Sequence, residues 1–416
     1  MTESLVDIAG RTVSSRAFTD ASVFAREQAT VFSRCWLYVG HRSQFARAGD
    51  FIQTRAGTIP LLLCMTGEGQ YDAFANVCAH RGSRICQVEY GHAKKFVCPY
   101  HNWVYDNRGN LIGVPGRTSA GFDKSKWGLF RAARVETYKD LIFATFSDQS
   151  VSLEEYLGDM RWYLDLLVNS SSAGTEVFGT HRSMVHCNWK IPAENAGGDN
   201  WHFQAVHGSM SKLGLRNEAT HDEDSFHAWT TDGHLLICVA PEKEVPGAFS
   251  FYLDDLLEKR QITSIQRRLL RCSIVITIFP NLSIVYFPGM CTLRVWQPRA
   301  TSETELWSWA LCNRDAPDHI RESIKKQVTR MFSPTGILEQ DDLEIWARVG
   351  NNLASMPPEF KLCYEFGARE ENIPRPFPGN HASLQSDTPA FTFYTRWSEL
   401  IADEEGAAAG GFAAKI

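Results

Sequence analysis

Cys78-Ala-His80-Arg-Gly82 and Cys98-Pro-Tyr-His101-Asn-Trp103 decide how this chain is read. Each segment sets a thiolate and an imidazole two or three residues apart, so both side chains of a pair belong to one loop. Two loops then supply two sulfurs and two ring nitrogens. The cysteine pair suits one ferric ion and the histidine pair the other, which is the mixed ligand set of a Rieske [2Fe–2S] centre. Replacing two anionic thiolates by neutral imidazoles removes negative charge and eases reduction relative to an all-cysteine cluster. A tetrahedral Cys2His2 zinc site uses the same donors, although C-x-H followed by C-x-x-H is unusual for a zinc finger.

Short strand-like runs surround the two pairs: Phe51 to Thr54, Ile59 to Cys64, Phe96-Val97 and Leu141 to Phe146. The segment Asp106-Asn-Arg-Gly-Asn110 separates two such runs as a hairpin turn would. An all-β metal domain is therefore expected over residues 39–150. Ahead of it, apolar spacing through Phe24, Val31, Phe32 and Trp36 predicts a helix over 19–36, and residues 1–38 are expected to pack with the domain that follows residue 150. Beyond 150 the texture is mixed. Helices are predicted at 152–168, 194–210, 317–332 and 337–349, and strands at 234–240, 272–279, 283–287, 291–298 and 304–312. Consecutive strands with short turns imply an antiparallel sheet covered by helices, so the fold class is α+β. This second domain is expected over 151–403, and the Ala- and Gly-rich tail, 404–416, is expected to be disordered.

A chain of 416 residues with 44% apolar and 12% aromatic residues has the make-up of a two-domain globular enzyme. A net charge of −6 offers no basic surface for nucleic acid. No apolar run approaches the ~18 residues of a membrane span, and Met1 to Ala9 lacks a basic region followed by an apolar stretch. The 11 cysteines are scattered, and only Cys78 and Cys98 sit in a metal-like pattern. The others read as buried free thiols, so a cytoplasmic protein is expected.

The second concentration of ligand chemistry runs from Glu194 to His207. His202, His207 and a carboxylate from elsewhere would make the facial triad of a non-haem ferrous site. On an ideal helix, residues five apart point about 140° away from each other, so shared ligation requires a distorted helix, for instance at a π-bulge. Alone, the pair also reads as two satisfied polar histidines. The carboxylate is sought in Glu339-Gln-Asp341-Asp342, where a solvated acidic helix face would look the same.

Taken together, these residues resemble the large (α) subunits of Rieske non-haem iron aromatic-ring-hydroxylating dioxygenases, the naphthalene and biphenyl dioxygenase group. The resemblance rests on Cys-Ala-His-Arg-Gly at 78–82, Cys-Pro-Tyr-His-Asn-Trp at 98–103 and Asn195-x3-Asp199-x2-His202-x4-His207. Ile278 to Ser283, Arg294-Val-Trp-Gln-Pro298 and Glu339 to Asp342 add to it. It implies a catalytic domain of helix-grip type. Cys78, His80, Cys98 and His101 would hold the cluster, and His202, His207 and Asp342 one mononuclear Fe(II). Asp199 would bridge His101 of one chain to His202 of the next, and Asn195 would lie near the iron without binding it. Ala196, Phe203, Val285, Phe332 and Leu338 match pocket positions, although each is also explained as ordinary core. Trp201 departs from the family's usual Tyr, so any hydrogen bond from that hydroxyl is lost. Neither Ser83 nor Tyr100 is the extra cysteine of respiratory Rieske proteins, which points to the lower end of the roughly −150 to +300 mV span of such centres.

The implied activity is addition of both atoms of O2 to an arene, giving a cis-dihydrodiol. No G-x-G-x-x-G follows a strand, so electrons from NADH are expected through a separate flavin reductase, a ferredoxin or both. An α3β3 assembly with a small β subunit is expected, with an α3 homotrimer as the alternative. Monooxygenation or demethylation by the same irons is a rival outcome, as is an electron carrier without oxygenase activity. Scarce charge at the pocket positions favours a neutral aromatic substrate, unless Arg182, Arg216 or Arg294 reaches a carboxylate.

Overall fold

The computed structural model describes residues 4–116, 121–168, 171–212, 225–240, 250–368 and 373–403. The expected tail, 404–416, and Arg216 lie outside them. The chain divides into two compact units at Glu27/Gln28, within helix Ala21–Arg34, and again at Leu153/Glu154. Among the described residues no helix is long and apolar enough to cross a membrane.

The unit that carries the cysteine–histidine pairs is built of short antiparallel strands. One sheet has four, in the order Gln70–Ala75, Ile59–Gly67, Asp50–Ala56, Tyr90–His92. A three-stranded sheet follows from Lys95–Val97, Val104–Asp106 and Leu111–Gly113. The hairpin expected at 106–110 is present. The Asp106 carboxylate accepts from the backbone N–H groups of Arg108 and Asn110, and Gly109 takes the left-handed conformation that closes the turn (φ 80°). Both metal-like cysteines sit in the hydrophobic core of this unit with Phe51, Phe74, Phe96 and Tyr105.

The other unit is organised by one antiparallel sheet of eight strands. Their order is Thr175–Val185, Glu303–Asn313, Met290–Ala300, Leu282–Phe287, Ser273–Ile278, Leu235–Val239, Phe226–Trp229 and Asn380–Ala382. Helix Lys190–Gly198 lies on the strands Ser273–Ile278 and Leu235–Val239. It comes close because Gly197 has no side chain: a Cβ there would stand 2.8 Å from the Thr277 backbone nitrogen. Thr277 also donates from its hydroxyl to the Ala193 carbonyl, tying helix to sheet. Helix Asp318–Phe332 buries Ile320, Ile324, Val328 and Phe332, a stripe of period four that packs on Val285, Met290 and Ala310.

Two helix expectations are corrected. Residues 194–210 are not one helix but parts of three, Lys190–Gly198, Trp201–Ala205 and Gly208–Lys212. Residues 152–168 form Leu153–Leu157 and Met160–Val168, parted at Gly158, whose φ of 46° is not helical.

Candidate metal centres

The two cysteine–histidine segments adopt the same turn despite their different spacing. The N–H of the residue four after each cysteine returns to that cysteine's carbonyl: Gly82 to Cys78 at 2.9 Å, Asn102 to Cys98 at 3.0 Å. Each cysteine N–H in turn donates to the fifth residue, Ser83 or Trp103, at 2.8 Å. The closing residues have φ values of 72° and 55°, a region that glycine and asparagine tolerate best. Two matched loops thus present their histidines side by side, with ring centroids 4.5 Å apart, and Trp103 stacks on His80 at 4.8 Å.

The polar atoms are arranged for a guest. Nδ1 of His80 and Nδ1 of His101 are both buried and have no hydrogen-bond partner. Burial opposes ionisation of Cys98, but N–H groups of Tyr100 and His101 point at its sulfur and bring its pKa below the ordinary thiol value. The Tyr105 hydroxyl lies 3.3 Å from the Cys78 sulfur. Two buried thiols and two buried, unpartnered imidazole nitrogens on a matched pair of loops have the donor chemistry of a [2Fe–2S] cluster.

In the other unit, His202, His207 and Asp342 each offer one ligand atom, all within 4.8 Å of one another. The broken helix makes this possible. The Asp199 carboxylate accepts from the backbone N–H groups of Trp201 (2.8 Å) and His202 (3.2 Å), starting a new helical turn there. A second break falls between the two histidines: the segment Trp201–Ala205 ends before His207 and the next begins at Gly208, so the rings leave the directions one unbroken helix would impose. The helix is interrupted rather than π-bulged, between Gly198 and Trp201 and again between Ala205 and Gly208, and the second interruption is the one that lies between the two rings.

His202 Nδ1 lies 2.6 Å from the carbonyl oxygen of Asp199 and donates to it, which leaves Nε2 with its lone pair free for a metal. The Asp199 carboxylate stands 3.7 Å from the same ring nitrogen and accepts from the side chain of Asn195 at 2.9 Å. Asn195 is held from its other end by the Trp346 indole, which donates to its Oδ1 at 3.1 Å. Asp342 Oδ1 comes within 3.1 Å of His207 Nε2, yet is a buried oxygen with no properly directed hydrogen bond. An imidazole and a carboxylate that converge without a directed hydrogen bond fit a cation between them.

Helix Glu339–Ser355 explains the acidic cluster. Its buried stripe is Glu339, Asp342, Trp346 and Leu353, so two carboxylates occupy positions where apolar side chains are usual. Glu344 faces outward and pairs with Arg348, whereas the half-buried Asp341 carboxylate stands 3.8 Å from His207 Nδ1. Asp342 joins the histidines, and Glu339 pairs with Arg294 inside the protein, at 2.7 and 2.6 Å from its Nη2. Burial pushes the Glu339 carboxyl up to about 7, Arg294 opposes this and Asp342 adds to it.

All five expected pocket residues, Ala196, Phe203, Val285, Phe332 and Leu338, line one cavity together with His202, His207 and Asp342. The sequence reading missed the rest of the wall. Ile237, Val275 and Val285 stand in register across three neighbouring strands, and Val239 and Phe287 continue the same faces. Their period-two spacing was visible, but the pairing of strands that aligned them was not. Arg294 also lines the cavity. Arg182 instead stacks over Trp307 at 4.3 Å. Trp201, the departure from the family pattern, is 38% exposed and rests edge-on against Phe366, 5.3 Å between centroids.

Comparison with known proteins agrees with this geometry. A family model for the Rieske [2Fe-2S] domain matches residues 35–139, and one for the catalytic domain of the ring hydroxylating alpha subunit matches 153–403. The chain belongs to the ring-hydroxylating α subunits. Such a subunit is a Rieske-type oxygenase, and its two domains imply one Rieske cluster and one mononuclear iron. Biphenyl 2,3-dioxygenase subunit alpha of Rhodococcus jostii is 32% identical, over 97% of this chain and 92% of its own. Benzene 1,2-dioxygenase subunit alpha of Pseudomonas putida is also 32% identical, over 96% and 93%. The crystal structure of naphthalene 1,2-dioxygenase from Rhodococcus sp. bound to indole superposes with a TM-score of 0.85 at 31% identity, covering 94% of this chain and 95% of that one.

Proposed function

We propose that this α subunit is the terminal oxygenase of a multicomponent dioxygenase that adds both atoms of O2 to a neutral aromatic hydrocarbon, giving a cis-dihydrodiol. The observation that carries the reading is the convergence of His202, His207 and Asp342 on the wall of a mostly apolar cavity. When bound, a cluster at Cys78, His80, Cys98 and His101 supplies single electrons, and a ferrous ion at His202, His207 and Asp342 supplies dioxygen activation beside the substrate.

The protein's own side chains do the rest. Asp199 holds His202 in one tautomer through its carbonyl, and its carboxylate starts the turn that aims the imidazole. Asn195, clamped between Trp346 and Asp199, keeps that carboxylate in place. Ile237, Val275, Val285 and Phe332 exclude water and favour an apolar ring. Arg294 lines the cavity, but its charge is matched by Glu339, so among the described residues the wall offers no free cation for a benzoate-like acid.

Electrons are assigned to NADH through a separate flavin reductase, a ferredoxin or both. The assembly is assigned as α3β3, or α3 without a small β subunit. Asp199 is the proposed bridge from His101 of one chain to His202 of the next; its side chain is one-third exposed, 33%, which supports access from a neighbour. The test is a single turnover of chemically reduced, iron-replete protein under ¹⁸O2 with naphthalene, biphenyl and benzoate. Two labelled atoms in one diol are expected. One labelled atom would replace this reading by monooxygenation, and product from benzoate alone would overturn the neutral-substrate assignment.

A further inference from the structure

Glu339 poses a problem for an open metal site. It lies three residues before Asp342, on the same helix face, and both are buried. Residues at that spacing have Cβ atoms roughly 5–6 Å apart, and glutamate reaches one methylene further than aspartate. A second buried carboxylate beside a divalent cation is a candidate ligand, because burial leaves it in need of a cationic partner.

We infer that Arg294 keeps Glu339 out of the metal's coordination sphere and so preserves the open face of the His202–His207–Asp342 site. Arg294 is built for this. One of its nitrogens meets both Glu339 oxygens, at 2.7 and 2.6 Å, and the two side chains are 4% and 0% exposed. Its guanidinium is fixed between the rings of Trp296 and Phe332, 4.9 and 5.2 Å from their centroids. Arg294 lines the cavity and Glu339 does not. Arg294 and Glu339 are positioning residues: neither touches the reacting atoms.

The inference rests on the proposed iron site, and its test separates the two. Co(II) affinity is measured on protein with its cluster intact and its mononuclear site emptied, by competition with a chromophoric chelator. H207A must bind Co(II) far more weakly than the wild type; equal binding would overturn the site itself. Given a site, R294Q and R294M are expected to bind Co(II) more tightly by roughly tenfold or more, the scale on which residues behind metal ligands act. The double variant R294Q/E339Q returns to the wild-type affinity, because no spare carboxylate remains. R294M retains the apolar stem between the two rings, so a folding defect of R294Q does not end the test. A residue that merely propped the ligand helix would weaken binding when removed. Weaker or unchanged affinity in the single Arg294 variants overturns the inference, as does a double variant as tight as R294Q.

Discussion

Replacing Glu27 by glutamine should destabilise the catalytic unit more than any surface change. Glu27 and Lys190 form an ion pair with both side chains 0% exposed. Glu27 also accepts from the indoles of Trp189 and Trp397, each at 2.9 Å, while the Lys190 ammonium lies over the rings of Phe18, Trp189 and Trp397. The neutral amide of E27Q would still accept one indole N–H but would leave a buried ammonium unmatched. Removing one partner of a buried pair costs about 3–5 kcal/mol, which for a unit of this size lowers Tm by roughly 6–20 °C. The loss should depend on pH. Burial already lowers the Lys190 pKa, with Glu27 opposing it, and without Glu27 the folded value falls further. A base depressed on folding stabilises at pH above its unfolded pKa and loses that contribution as pH falls through the folded one. The E27Q defect should therefore shrink as pH rises toward the ordinary lysine range. Scanning calorimetry of E27Q, K190M and E27Q/K190M at several pH values, with cofactor loading held equal, tests this. The double variant should recover much of the loss, since apolar or neutral replacement of both members is often tolerated. A Tm change for E27Q of only a degree or two, or a defect independent of pH, would refute the reasoning. Lys190 opens the helix that carries Asn195, so E27Q should also lower iron retention.

H207A and D342A should each lose most of their mononuclear iron while the visible spectrum of the cluster is unchanged; metal analysis beside absorbance checks this, and a bleached cluster would contradict the two-site assignment. D387N should raise Tm at pH 8. Burial pushes the Asp387 carboxyl up to about 6, so the wild type gains from its protonated form at low pH and loses that gain as pH rises through 6. The advantage of D387N should vanish toward pH 4, and a lower Tm at pH 8 would contradict it. V285F places a ring in the row Ile237–Val275–Val285 and should cut kcat/KM for two-ring arenes at least about tenfold relative to benzene; an unchanged ratio would remove Val285 from the substrate wall.

The two kinds of metal centre differed in how plainly they could be read. Each cysteine–histidine pair is local, and the turn that presents it is encoded by its own residues: Gly82 and Asn102 close the loops, and chain spacing alone predicts two donors per loop. The hairpin at Asp106–Asn110 was legible for the same reason, since Asp106 and Gly109 supply its hydrogen bonds and its φ. Strand Thr175–Val185 was missed because most of its residues are exposed or half-buried and leave no apolar alternation to detect. The helix expected at 194–210 was drawn through Asp199, whose carboxylate captures the N–H groups of the following turn, a choice propensity does not foresee.

The sequence by itself determined the ligand types, the pairing within each loop and the two-domain order, because these depend on residues that neighbour one another along the chain. Tertiary structure alone decided which acidic residue of Glu339, Asp341, Asp342 and Glu344 meets the histidines and which is claimed by Arg294. That choice depends on helix phase against a sheet whose strands are set in register by burial. A carboxylate facing solvent and one facing a buried guanidinium are the same letter until the helix is packed.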